Sequence, residues 1–132
     1  MNLTPQTLIA KGGHRHTYTT QDPNWVIKVQ QGKGNYNYAE WCVWHTLKNT
    51  RFRNLLAPCG EISEDHMHLL QRRGRPLPDN THLPIELLPD FLAYDVRLPR
   101  QWIIIPGYNA DNPVLCDYDH NQYGMMKRMN LL

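Results

Sequence analysis

The sequence lacks a strong charge of either sign: 14 Lys and Arg against 12 Asp and Glu leave a formal net charge of +2 over 132 residues. A general nucleic-acid binder carries a large basic excess, so no specific nucleic-acid binding is expected. Long apolar runs are missing as well. Stretches such as Trp102-Ile103-Ile104-Ile105 are far too short to cross a bilayer, so no membrane role is expected. Met1-Asn2-Leu3-Thr4-Pro5 has neither the basic start nor the apolar core of a secretory leader. Cysteine is sparse and odd in number: Cys42, Cys59 and Cys116 are widely spaced and outline neither a disulfide framework nor a CxxC metal site. No internal repeat, low-complexity tract or Gly/Ser linker divides the chain. These absences leave the expectation of one cytoplasmic domain over residues 1–132.

What is present suits a modest globular core, with 41% hydrophobic and 20% charged residues. The first third reads as strands. Gln6 to Lys11 is a short apolar segment, Gly12-Gly13 a turn, and His16 to Thr20 a run of β-formers. Asp22-Pro23-Asn24 is turn chemistry, and Trp25-Val26-Ile27-Lys28-Val29 follows as a third strand. A helix is expected from near Asn35 or Asn37, either of which could cap it, to Lys48. Glu40, Val43, Trp44 and Leu47 share one helical face, and a carboxylate on an apolar face needs a partner for its charge.

Leu55 to Ile62 and His66 to Gln71 read as two further strands, which makes five. Residues 72–82, rich in proline and turn formers, read as a connector. Beyond it come a short helix over Ile85 to Tyr94, broken by Pro89 or beginning at it, and a hairpin of Gln101 to Ile105 with Pro113 to Asp117. The last fifteen residues are polar and Met-rich, with no pattern that assigns an element. The arginine clusters, Arg51/Arg53 and Arg72-Arg73-x-Arg75, read as solvated faces.

The order of these elements resembles a protein kinase reduced to its minimum. Ala10 to Tyr18 looks like a shortened glycine-rich loop, Val26-Ile27-Lys28-Val29 resembles the kinase VAIK strand, and Val114-Leu115-Cys116-Asp117 resembles the strand leading into DFG. Gly12-x-His14-Arg15-x-x-Tyr18, with the Lys28 and Asp117 strands, is similar to the YrbL (PhoP regulatory network) group of bacterial kinase-like proteins. The resemblance spans roughly residues 8–120, with unmatched stretches between the motifs. It implies an α+β fold. A five-stranded antiparallel N-lobe with one helix would occupy about 1–71, a connector 72–82 and a much reduced C-lobe 83–132.

The resemblance also implies a nucleotide site for ATP and Mg²⁺. Gly12 and Gly13 would let backbone N–H groups approach phosphate, Lys28 would neutralise it, Glu40 would hold Lys28, and Asp117 would ligate the metal. The plainer reading makes Lys28 a solvent-facing strand residue, Glu40 a helix-start charge, and Asp117 and Asp119 strand-ending turn residues.

The catalytic loop departs from the kinase pattern. Aligned without gaps, Asp95 to Trp102 puts Arg97 where the proton-accepting aspartate belongs and Trp102 where the second metal ligand belongs. Neither can do the original job: arginine stays protonated, and tryptophan offers no oxygen. A register shifted by two makes Asp95 the catalytic base and Gln101 a long substitute for asparagine. The DFG glycine is absent from Asp117-Tyr118-Asp119, and the chain extends only fifteen residues past Asp117, which leaves a peptide substrate little surface to dock on.

The expectation is therefore a pseudokinase-like regulatory module acting through a protein partner. The alternative is a minimal ATP-dependent phosphotransferase using Asp95 and Asp117. An exposed half-domain could also form a homodimer to cover apolar surface. A third class, a zinc enzyme, would use His14-x-His16 and His66-x-His68, but no Cys or carboxylate in sequence completes either pair.

Overall fold

The fold was obtained as a computed structural model, and it describes residues 3–119. The β-branched and aromatic runs of the first half form a five-stranded sheet: β1 (Leu8–Lys11), β2 (Arg15–Thr19), β3 (Trp25–Gln30), β4 (Cys59–Ile62) and β5 (His68–Arg72). The strand order is β1-β2-β3-β5-β4, with every neighbouring pair antiparallel. A single helix, α1 (Tyr36–Leu47), connects β3 to β4 and lies against β3, β4 and β5. The fold is α+β.

α1 begins after Asn35, whose side chain makes no capping hydrogen bond, and it buries Asn37, Glu40, Val43, Trp44 and Leu47. That is the face the sequence spacing marks, with Asn37 added one turn earlier. The second half is sparse: β6 (Trp102–Ile103) and β7 (Val114–Leu115) form a short antiparallel hairpin among single 3₁₀ turns. One apolar cluster spans both halves, joining Val43, Trp44 and Leu69 to Phe91, Leu92, Trp102 and Tyr118.

Three segments differ from the sequence expectation. Leu55 to Ile62 joins the main sheet only from Cys59, because Arg53–Leu55 makes a 3₁₀ turn. Leu56 and Ala57 then bond to Leu115 of the hairpin rather than to the main sheet. Ile85 to Tyr94 is two 3₁₀ turns, Ile85–Leu87 and Asp90–Leu92, on either side of Pro89. Proline supplies no N–H and disfavours a helical residue before it, so neither turn propagates. The connector is clamped to the hairpin, since Arg75 pairs with Ile104. A Cβ on Gly74 would lie 2.6 Å from the Ile104 carbonyl oxygen, so the close approach requires glycine.

Among the described residues no helix is long and apolar enough to cross a membrane.

Candidate functional site

The polar centre of the molecule lies where β2, β3, α1 and the segment after β7 converge. The Gly12-Gly13 turn places its first residue: the Gly12 N–H donates to the Arg15 carbonyl at 2.8 Å, which starts β2 at Arg15. In the β2–β3 register Arg15 faces Gln30 and Thr17 faces Lys28, so Arg15 and Lys28 lie diagonally on one face of the sheet. Both side chains are buried.

Glu40 of α1, fully buried, receives them. Its Oε2 accepts from Arg15 Nη1 at 2.6 Å and from Lys28 Nζ at 2.8 Å. Its Oε1 accepts from Arg15 Nη2 at 3.1 Å and from the Tyr118 backbone N–H at 2.7 Å. Arg15 Nη2 also reaches Asp117 at 3.0 Å and Asp119 at 3.3 Å. Lys28 Nζ donates in addition to the Cys116 carbonyl. Asn37 completes the frame. Its Oδ1 accepts from Arg15 Nη1 at 3.3 Å, and its Nδ2 donates to the Lys28 and His66 carbonyls, each at 3.1 Å.

These contacts set the charge states. Burial alone would raise the Glu40 pKa, but the Arg15 and Lys28 charges and the Arg15 hydrogen bonds outweigh it and hold Glu40 below the usual carboxylate range. Asp119 goes the other way. Burial and a hydrogen bond with Asp117 push it up to about 8 against the pull of Arg15. The charged form of Asp119 is thus disfavoured, which reduces the negative charge facing Arg15 and Lys28. The neighbouring thiols are inert: burial pushes Cys59 and Cys116 each up to about 12, far from a thiolate nucleophile.

Glu40, Asp117 and Asp119 can each present an oxygen within 4.8 Å of the other two, a donor set suited to a hard divalent cation. Arg15 Nη2, however, already lies within hydrogen-bonding or ion-pairing distance of all three carboxylates. The guanidinium stands where the ion would stand. A bound Mg²⁺ does not fit this arrangement unless Arg15 leaves it.

Comparison with protein-family models, with curated proteins and with solved structures finds no match.

Of the residues singled out by sequence, Lys28, Glu40 and Asp117 come together in this cluster. Gly12 and Gly13 form the exposed turn that leads into Arg15. Asp95 does not join them. It is exposed with a positive φ of 54°, and among the described residues no hydrogen bond or ion pair ties its carboxylate to the cluster. Gln101 is committed to the loop: Nε2 donates to the Asp95 carbonyl at 2.5 Å, and Oε1 accepts from the Leu98 N–H at 2.9 Å. Trp102 is core, its indole N–H donating to the Val96 carbonyl at 2.8 Å, and Arg97 is exposed.

The histidine pairs do not line one strand face. His14 and His66 sit in turns and stack on Tyr36 and Tyr38 of α1, with ring centroids 4.1 and 4.6 Å apart. Arg15, Asn37 and Asp119 are the site residues that sequence reasoning misses. The signal that finds Arg15 is strand register: once Thr17 is opposite Lys28, Arg15 must share the lysine's face.

Proposed function

We propose that this chain is a kinase-like but catalytically inactive module, a pseudokinase of reduced size that acts by binding a protein partner. The observation that carries the reading is the Arg15 guanidinium seated among Glu40, Asp117 and Asp119. In a phosphotransferase, positive charge beside such carboxylates comes from Mg²⁺ carrying the phosphates. Here a side chain supplies it and fixes the segment after β7 against the sheet and helix without a nucleotide. The exposed Asp95 and the buried Trp102 add support, because neither presents a base or a second ligand to the cluster. The strand order, the helix between β3 and β4, and the buried Lys28–Glu40 pair are what favour the kinase-like and YrbL-like resemblance over an unrelated α+β fold.

Two measurements test this. Melting the protein with ATP or ADP, with and without Mg²⁺, is expected to show no nucleotide-dependent rise, since a ligand that binds the native state must raise the melting temperature. Incubation with γ-labelled ATP is expected to transfer no label to the chain or to a generic protein substrate. Transfer that disappears in Lys28→Ala and Asp117→Asn would overturn the reading in favour of a minimal phosphotransferase using Asp95 and Asp117.

A further inference from the structure

β1 is an edge strand, and among the described residues no strand pairs with its outer side. Its four residues, Leu8-Ile9-Ala10-Lys11, are all exposed, and two of them are large and apolar: Leu8 at 40% and Ile9 at 45% exposure. An exposed apolar edge is a template for another strand, because its outward N–H and C=O groups have no ladder partner. The opposite edge is better guarded. β4 follows Pro58, carries Glu61, and is preceded by Leu56 and Ala57, which are already bonded to Leu115.

Lys11 is the one charge on β1, and an edge lysine commonly blocks pairing. Its register gives it a different place here. In an antiparallel ladder, directly opposed residues point to the same face. Leu8 is opposite Tyr18 and Lys11 opposite His16, two positions apart on β2, so Leu8 and Lys11 share a face. A regular strand would point residues three apart to opposite faces; the register shift between Leu8 and Ala10 brings them together. A second β1, run antiparallel about a two-fold axis between Ile9 and Ala10, sets Leu8 of each copy opposite Lys11 of the other. The faces match, the lysine stem lies along the leucine, and no two lysines meet.

From this self-complementarity we infer that a second copy of this chain docks on β1, edge to edge, joining two five-stranded sheets into one across a two-fold axis. A foreign peptide added at this place would itself become an open edge, whereas self-pairing covers both edges at once. The fold leaves room for it. α1 lies over β3, β4 and β5, away from β1, and a two-fold axis perpendicular to the sheet keeps the two helices apart. One strand against one strand is a small contact, so the dimer belongs to the weak, reversible class. The inference goes beyond the proposed module role and needs neither a kinase-like ancestry nor a nucleotide.

The test is sedimentation equilibrium of the full chain between about 1 and 300 µM, where the mass is expected to rise from that of one chain toward that of two. Leu8→Lys with Ile9→Lys puts like charges on both edges and should weaken association by about tenfold or more. Leu87→Lys with Tyr94→Lys adds the same charge at two other exposed apolar residues and should change it by less than about twofold. A second measurement fixes the register and decides the matter if the Leu8/Ile9 variant fails to fold. Leu8→Cys with Lys11→Cys, oxidised with diamide, should give disulfide-linked dimers above the level of the unsubstituted chain. Opposed Cα atoms of an antiparallel pair lie about 4.5–5.5 Å apart, within the span of a disulfide. A chain that stays monomeric throughout, association untouched by the Leu8/Ile9 lysines, equal loss in the Leu87/Tyr94 variant, or no added cross-linking would each overturn the inference.

Discussion

Arg15 and Lys28 are both buried cations on one face of the sheet, yet only Lys28 is singled out as a site residue from the sequence, where Arg15 figures only as one position of a motif. Arg15 follows a glycine turn and looks like a loop residue. Its importance emerges only from the β2–β3 register, which places Thr17 opposite Lys28. Once buried, it is the larger contributor to the cluster, bonded to Glu40 through both terminal nitrogens, paired with Asp117 and 3.3 Å from Asp119. Removing one partner from a buried ionic network leaves the remaining charges uncompensated, at a cost of about 3–5 kcal/mol. Arg15→Ala is therefore expected to melt well below the wild-type protein. With the guanidinium gone, Glu40, Asp117 and Asp119 form an open oxygen-rich set. Millimolar Mg²⁺ or Ca²⁺ should then raise the melting temperature of Arg15→Ala while leaving the wild type unmoved. Equal responses from the two proteins would show that Arg15 does not stand in for a cation.

Elements differ in how far local chemistry determines them. α1 is legible because Glu40, Val43, Trp44 and Leu47 recur at helical spacing without Gly or Pro, and all four are buried. The strand cores are legible because β-formers run between turn residues; the ends shift by one or two residues, except that β4 begins four residues late, at Cys59. The segment around Pro84 and Pro89 is misread as helix because its apolar residues, Ile85, Leu88 and Leu92, are spaced as a helix would space them. Two prolines restrict it to single turns, and tertiary packing alone buries Leu88 and Leu92. Leu56 and Ala57 are misassigned for a different reason: their partner, Leu115, lies far along the chain, and no local signal announces such a pairing.

The same helix allows a test of element packing. Trp44 faces the core at 6% exposure, whereas Trp41 is half-buried and stacks between Tyr38 and His45. Trp44→Ala should cost about 3–5 kcal/mol, the usual range for a buried aromatic. Trp41→Ala should cost less than half as much in the same urea titrations. Comparable losses would mean that the outer face of α1 is as tightly packed as the inner one.

At the scale of the whole molecule, the cluster joins the sheet, the helix and the hairpin, so its protonation should register in global stability. Two groups titrate in opposite senses. Glu40 is depressed in the folded state, so its contribution is present above the unfolded value of about 4.3 and is lost as the solution is acidified below it. Asp119 is raised to about 8 in the folded state. An unfolded aspartate titrates near about 3.9, so between that value and about 8 the folded protein holds a proton that the unfolded chain has released. Stability from this source is complete below that window and declines as pH rises through it. Among the described residues, Arg15 opposes the Asp119 shift, and Glu40 and Asp117 reinforce it. His45, held down by burial and by Lys48, works in the contrary direction near its own titration, but it is exposed and its effect should be small. The melting temperature is thus expected to fall from mildly acidic to mildly alkaline buffer at constant ionic strength. Asp119→Asn, which mimics the protonated acid at every pH, should flatten that decline and leave the acid-side loss from Glu40 in place. A wild-type profile that rises toward alkaline pH, or an Asp119→Asn profile as steep as the wild type's, would show that the proton resides elsewhere and that the cluster is balanced by some other means.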